Sequence, residues 1–268
     1  MDDTSTIRPL ALVTGASSGI GLELARLFAQ NGFDLLVCAE DAGIAVAAEA
    51  LTGEGSAAVK SIVADLSTHE GCDQLAAAVT ATGRPLDALA LNAGVANGGP
   101  FIETPLEDDM RVIGLDVMSP VHLAKRLLPA MVARGAGRVL VTSSVASLMP
   151  GPYYATYAAS KAFVQSFAEA IRYELKDTGV TVTTLLPGPT DTDFFDASHM
   201  EDTRVAKGPK DDAAKVAREG FEGLMAGKDE VKVVSVKARA QSVLAAVLPE
   251  KAQPAAHGAM TKPQGDEG

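Results

Sequence analysis

Leu10-Ala11-Leu12-Val13-Thr14-Gly15-Ala16-Ser17-Ser18-Gly19-Ile20-Gly21 decides the fold of this chain. The apolar run that opens it reads as a buried strand. Ile20, Leu24, Leu27 and Phe28 then recur at the spacing of one helix face, so the glycines between read as a strand-to-helix turn. Such a turn removes side chains where a pyrophosphate must approach the backbone, and it aims the first N–H groups of the helix at the negative charge. Gly15, Ser17, Ser18, Gly19, Ile20 and Gly21 are therefore candidate contacts of a dinucleotide. Their glycine spacing differs from the commoner G-x-G-x-x-G, so the physics transfers more safely than the pattern.

Outward from this turn, apolar runs near 10–14, 34–39, 57–64, 87–91, 137–142, 180–186 and 231–236 alternate with helical patterns. That alternation predicts an α/β fold: a Rossmann-like, doubly wound parallel sheet of about seven strands with helices on both faces. Leu106–Arg134 reads as one long helix containing Pro120, Tyr153–Asp177 as a second, and Ala238–Leu248 as a short one. With 268 residues and 47% hydrophobic content, one large core is expected. Residues 1–250 read as a single domain with a lid near 193–210, and residues 251–268, rich in Pro, Gly and Ala, as a mobile tail. No internal repeat is visible.

Tyr157-Ala158-Ala159-Ser160-Lys161 carries the chemistry. On a helix, residues four apart are neighbours, so the Lys161 ammonium can stabilise a Tyr157 phenolate and pull its pKa below about 10. Taken alone, the spacing also fits a solvated helix face. The chain has four tyrosines, however, and none of Tyr153, Tyr154 and Tyr173 has a lysine four residues on.

With both motifs in hand, the chain resembles the short-chain dehydrogenase/reductase family, whose glycine motif is T-G-x-x-x-G-x-G and whose signature is Tyr-x-x-x-Lys with an upstream Ser. The resemblance covers about residues 7–195. It takes in Asp65-Leu66, Asn92-Ala93-Gly94, Ser143-Ser144 and Pro187-Gly188, which follow successive strands in the family's order, with Ser144 thirteen residues before Tyr157.

The resemblance implies an NAD(P)-dependent oxidoreductase acting on a small-molecule alcohol or carbonyl. Tyr157 would be general base in oxidation and general acid in reduction. Lys161 would lower the Tyr157 pKa and hydrogen-bond the nicotinamide ribose, and Ser144 would hold the substrate oxygen. Asn92, Ala93 and Gly94 would lie under the adenine ribose, Asp65 and Leu66 beside the adenine, and Pro187, Gly188, Thr190 and Thr192 at the carboxamide end. Ser143 is the register alternative to Ser144, and each of these segments also reads as an ordinary cap or turn. The two long helices would pack against a neighbouring subunit, giving a homodimer or homotetramer.

Two departures stand out. Where members with a standard tetrad carry a catalytic Asn, this chain has Asp116; a carboxylate there would keep Lys161 protonated and partly neutralise its field at Tyr157. At the end of the second strand, Ala39 stands where NAD-type members have their acid, and Glu40 follows it. Glu40 can accept from a ribose hydroxyl and repel a 2′-phosphate, and no basic residue is visible to pair with one, so NAD is favoured with NADP possible. The chain also lacks the Asp-Gly-Gly ending of many members. Phe194, Phe195, Met149 and Tyr154 suggest an apolar pocket or ordinary lid packing.

A formal charge of −11 argues against nucleic acid, which demands a basic footprint. No apolar stretch reaches the ~18 residues of a membrane span, and residues 1–6 carry no secretory pattern, so a cytoplasmic protein is expected. Cys38 and Cys72 read as unpaired structural cysteines, with no metal site. Gly15-Ala16-Ser17-Ser18-Gly19 also satisfies G-x-S-x-G, which would make Ser17 a hydrolase nucleophile; of His69, His122, His199 and His257, the first two read as helical and the last as tail, which leaves His199 as its partner. A different alternative is a nucleotide-binding protein of the same fold with little turnover, which Asp116 keeps open.

Overall fold

A computed structural model describes residues 8–54, 57–192, 194–198, 200–234 and 253–263. Its centre is β1 (Leu10–Thr14), whose side chains alternate between two cores: Leu10 and Leu12 enter one, Ala11 and Val13 the other. A strand buried on both faces is what the uninterrupted apolar run encodes. β2 (Asp34–Ala39), β3 (Val59–Val63), β4 (Ala88–Leu91), β5 (Gly137–Thr142) and β6 (Val180–Pro187) join it in a seven-stranded sheet completed by Glu230–Val233. The order is β3-β2-β1-β4-β5-β6 and then Glu230–Val233, every pairing parallel, so the expected doubly wound sheet is present.

Helices cover both faces. α1 (Gly19–Gln30) and α2 (Gly43–Gly53) lie on one side with a later helix over Ala213–Met225; α3 (His69–Thr80) lies on the other. On the first side Phe28 of α1 meets Phe33 and Phe221 edge-on, each at 5.1 Å between ring centres.

The stretch read as one helix over Leu106–Arg134 is interrupted. α4 (Leu106–Ile113) passes through a π-helical turn at Gly114–Met118 into α5 (Ser119–Arg134). The Ser119 N–H bonds the Gly114 carbonyl five residues back, and Pro120 has no N–H to give to Asp116. The extra residue in this turn directs the Asp116 side chain inward, where it is 1% exposed.

α6 (Ala155–Leu175) carries the Tyr–Lys pair. After β6, a two-residue strand β7 (Thr190–Asp191) pairs with β8 (Asp211–Asp212). Between them lie the short helices α7 (Phe194–Ala197) and α8 (Arg204–Lys207). α9 (Ala213–Met225) then leads to β9 (Glu230–Val233).

A further difference lies at the C-terminus. Within the stretch read as a tail, Gln253–Thr261 forms a helix, α10, with Pro254 near its start and small residues along it. The helix expected at Ala238–Leu248 and His199 fall outside the described residues.

Phe28→Ala should cost about 3–5 kcal/mol of stability, because it deletes the ring around which α1, Phe33 and Phe221 pack. Denaturant unfolding would show this as a lowered midpoint at unchanged slope. A cost below about 1 kcal/mol would contradict the packing described for α1.

Candidate active site

The parallel strands deliver their loops to one edge of the sheet, and the strand order reverses between β1 and β4, the place where such sheets open a crevice. Thr14 and Asn92 hold that edge together. The Thr14 hydroxyl donates to the Ala90 carbonyl and accepts from the N–H groups of Asn92 and Ala93, both at 3.0 Å. The Asn92 amide donates to the Thr14 carbonyl at 3.3 Å, and its oxygen accepts from Thr142 at 3.1 Å. The Asn92 side chain thus ties the ends of β1, β4 and β5 together.

Against this tie lies the glycine turn. A Cβ on Gly21 would sit 1.9 Å from the Gly15 carbonyl oxygen, so only glycine allows the turn to close so tightly. Ser18 occupies the N-cap position without using its side chain as a cap, and the first turn of α1 holds no acidic residue. The first N–H groups of α1 are left for an anion.

The cleft holds about 860 Å³ and runs from this turn to the Tyr–Lys pair. Every candidate cofactor contact lines it except Asp65: the six turn residues, Glu40, Leu66, Asn92, Ala93, Gly94, Tyr157, Lys161, Pro187, Gly188, Thr190 and Thr192. Asp65 is instead engaged in the turn that starts α3, its carboxylate accepting from the Ser67 N–H at 2.9 Å and hydroxyl at 2.6 Å. That bonding holds its carboxyl below the usual range.

At the far end Ser144, Tyr157 and Lys161 line the same wall. The two serines divide their duties. Ser143 donates to the Lys161 carbonyl at 2.9 Å and so fastens α6 to the end of β5, whereas the Ser144 hydroxyl accepts from the Ala146 N–H at 3.1 Å and acts on the Tyr157 phenol, pulling its pKa down. Lys161 Nζ lies 5.6 Å from the centre of the Tyr157 ring. It donates to Asp116 at 3.0 Å and to the Thr142 carbonyl at 3.5 Å. Asp116 also accepts from the Val95 N–H at 2.9 Å and from the Ser160 hydroxyl at 3.4 Å. Gly94 permits this grouping, since a Cβ there would stand 2.8 Å from Lys161 Nζ and 3.3 Å from the Asp116 oxygens.

Burial governs the ionisation of all three buried groups. It pushes the Tyr157 phenol up, while Lys161 and Ser144 pull it down and Asp116 adds to the rise. The net direction is upward, against the expectation that Lys161 pulls the phenol below its ordinary value, and the opposing contribution of Asp116 is in the expected direction. For Lys161, burial works against the ammonium, but Asp116 and Tyr157 outweigh it and its pKa is raised. Burial also raises the Asp116 carboxyl, with Lys161, the Val95 N–H and Ser160 opposing it.

Glu40 is not alone at the mouth. Arg111 of α4 donates to both of its carboxylate oxygens. This cation comes from 71 residues away, so the expectation that nothing basic stands near the adenosine end is corrected. The sequence also missed His257 and Met260, which line the cleft from α10. Tyr154, Met149, Phe194 and Phe195 line it as well. Among the described residues no histidine hydrogen-bonds Ser17: His69 and His122 contact each other, and His257 contacts Tyr154 and Pro150. Ser17 therefore has no histidine partner among the described residues, and His199, the remaining candidate, lies outside them. Cys38 and Cys72 are free and buried, burial pushing the Cys38 thiol up to about 12. Among the described residues no group of three or more His, Cys, Asp or Glu side chains is arranged to hold a metal ion.

A family model described as short chain dehydrogenase matches residues 9–202. A short chain dehydrogenase of Pseudocercospora fijiensis is 32% identical over 187 residues, 69% of this chain and 60% of that protein. The uncharacterized oxidoreductase YbbO of Escherichia coli K12 is 35% identical over 187 residues, 69% of this chain and 67% of its own length. Dehydrogenase/reductase SDR family member 7B of Rattus norvegicus is 31% identical over 185 residues, 67% of this chain and 57% of that protein. The chain thus spans less than two thirds of the fungal and rat relatives. Among solved structures, a short-chain dehydrogenase of Sphingobium yanoikuyae in complex with NADPH is similar with a TM-score of 0.79 at 27% identity, covering 90% of this chain and 97% of that one. One of Burkholderia phymatum in complex with NAD has a TM-score of 0.77 at 26% identity, covering 88% and 92%.

Proposed function

Because the chain belongs to the short-chain dehydrogenase family, we propose that it transfers a hydride between a nicotinamide dinucleotide and an alcohol or carbonyl substrate, with Tyr157 as the acid/base. The observation that carries this reading is the convergence of Ser144, Tyr157 and Lys161 on one wall of a cleft whose other end is the glycine turn. The Gly15–Gly21 turn and the uncapped start of α1 fit a pyrophosphate. The bound dinucleotide supplies the hydride chemistry.

The chain's own residues handle the proton. In reduction, Tyr157 gives its proton to the substrate oxygen, and the Ser144 hydroxyl donates to that oxygen as negative charge develops. In oxidation, Tyr157 takes the proton. An ammonium has three donors, and Lys161 directs two at Asp116 and the Thr142 carbonyl. The third is left for a ribose hydroxyl or the Tyr157 phenolate. Asp116 holds the ammonium in place and also weakens its pull on Tyr157. That opposition is the one observation favouring a second reading, a dinucleotide-binding protein with little turnover.

NAD is the favoured cofactor, because Glu40 lines the cleft and its carboxylate, which also holds Arg111, opposes a 2′-phosphate. Assembly into a homodimer or homotetramer is supported by apolar side chains exposed on α4 and α6, among them Leu106, Met110, Ile113 and Phe163. Among the described residues no helix is long and apolar enough to cross a membrane.

Tyr157→Phe should leave dinucleotide binding nearly intact and lower turnover by about 10²–10⁴-fold, the range of general acid–base catalysis. Measured kcat on any substrate that remains near the parental value would overturn the role of Tyr157.

Asp116→Asn should move the basic limb of the oxidation pH profile to lower pH. Removing the carboxylate removes a contribution that raises Tyr157 and one that raises Lys161, so the phenol deprotonates more readily. Superimposable profiles would show that Asp116 does not influence the proton transfer.

Titration with both reduced cofactors should show NADH bound more tightly than NADPH. In Glu40→Gln the preference should shrink by about tenfold, since Arg111 would then be free to meet a 2′-phosphate. Tighter NADPH binding by the parent protein would sink the NAD assignment.

A further inference from the structure

We infer that α10 (Gln253–Thr261) is a wall of the substrate chamber, and that His257 is a specificity-determining residue which locks Tyr154 beside Tyr157 and selects uncharged, apolar alcohols or ketones. The inference rests on the oxidoreductase reading above and adds to it the class of substrate.

Two hydrogen bonds fix His257. Nδ1 lies 2.8 Å from the Pro150 carbonyl oxygen, and Nε2 lies 2.6 Å from the Tyr154 hydroxyl. A carbonyl oxygen can only accept, so Nδ1 carries the proton; in the neutral ring Nε2 is then the acceptor and Tyr154 the donor. Burial pushes the His257 pKa down and the Tyr154 phenol up, so both groups stay neutral. The His257 and Tyr154 rings meet edge to face at 5.5 Å, and the Tyr154 ring is 5.9 Å from that of Tyr157. The contact at the C-terminal helix therefore reaches the proposed acid/base through one intervening ring.

The same helix holds the loop that precedes α6. The Thr261 hydroxyl donates to the Pro152 carbonyl at 2.8 Å, and Thr261 is buried. Gly258 packs against Pro152, where an added Cβ would come within 3.4 Å. Between these contacts Tyr153 has φ of 66°, the one positive φ outside glycine among the described residues. Strain of this kind persists only where surrounding contacts impose it. Here they turn the chain so that Tyr154 faces His257.

The chemistry of the chamber follows. Met149, Phe194, Phe195 and Met200 line it together with Met260 of α10. Beside Tyr157 stands a neutral pair, Tyr154 and His257, whose donor and acceptor are already matched to each other. A substrate carboxylate or ammonium placed against that pair would lose its hydration with no opposite charge on either ring to receive it; the Arg204 side chain lines the cleft from α8. An apolar substituent loses nothing and gains the rings.

The experiment compares acetone, acetophenone and pyruvate as substrates in the parent protein, His257→Ala and His257→Gln. The parent should favour acetophenone over pyruvate. In His257→Ala, kcat/KM for acetophenone should fall by about tenfold, mostly through KM. Acetone should change much less, and dinucleotide affinity should stay the same. Glutamine can face both Pro150 and Tyr154, so it should restore part of the loss. An equal change on all three substrates, or none, would overturn the selectivity role.

A second arm does not depend on turnover. Because Cys38 and Cys72 are buried, maleimide should label His257→Cys at the introduced thiol, and saturating acetophenone should slow that labelling. Labelling unaffected by the ketone would overturn the placement of α10 at the chamber. Protection without turnover would count against the oxidoreductase reading and leave the chamber wall standing.

Discussion

A parallel sheet ends in loops that no ladder holds, and in this chain the bonds of Thr14 and Asn92 join those loops into one surface. Thr14 turns a side chain from the core strand toward β4, and Asn92 answers with an amide that reaches β1 on one side and β5 on the other. The glycine turn rests on this tie: a Cβ on Gly15 would come within 2.8 Å of the Ala93 backbone. The residues that shape the cleft thus act first as structural ties between strands. A change at Asn92 would therefore loosen three strand ends together, and its effects on binding and on stability would not separate cleanly.

The Lys161–Asp116 pair is the second constraint. Its side chains are 6% and 0% exposed, and a pair so deeply buried gains little net stability relative to apolar residues of the same shape. Its value is positional. The π turn that brings Asp116 inward, the absent N–H of Pro120 and the missing side chain of Gly94 all serve to admit this pair. The electrostatic cost falls on Tyr157, which feels a cation and an anion at once.

Much of this was legible in the sequence, because its signals are local. Buried strands announce themselves as short apolar runs, and the glycine turn and the Tyr–Lys spacing are each contained in a few residues. What escaped depends on distance along the chain. The Arg111–Glu40 pair joins α4 to the end of β2, and His257 meets Tyr154 across 103 residues. Composition also misled. Residues 253–261 are rich in Ala with Pro and Gly and look like a tail, yet their hydrogen bonds to Pro150, Pro152 and Tyr154 anchor a helix. The π turn was hidden because helical periodicity runs on both sides of it, and one inserted residue barely disturbs the pattern.

The ladder between β7 and β8 makes the intervening segment modular. Thr190 pairs with Asp211 and Asp191 with Asp212, so the two ends of the segment between them are clamped side by side in a small sheet of their own. With its ends fixed, the entropic cost of the loop rises only with the logarithm of its length, about 0.6 kcal/mol for each doubling. That segment can therefore lengthen, shorten or be exchanged as a cassette while the strands below keep their register. A scaffold built this way uncouples the segment above the cleft from the strands that carry the glycine turn, and recombination between relatives would be tolerated at those two clamped junctions.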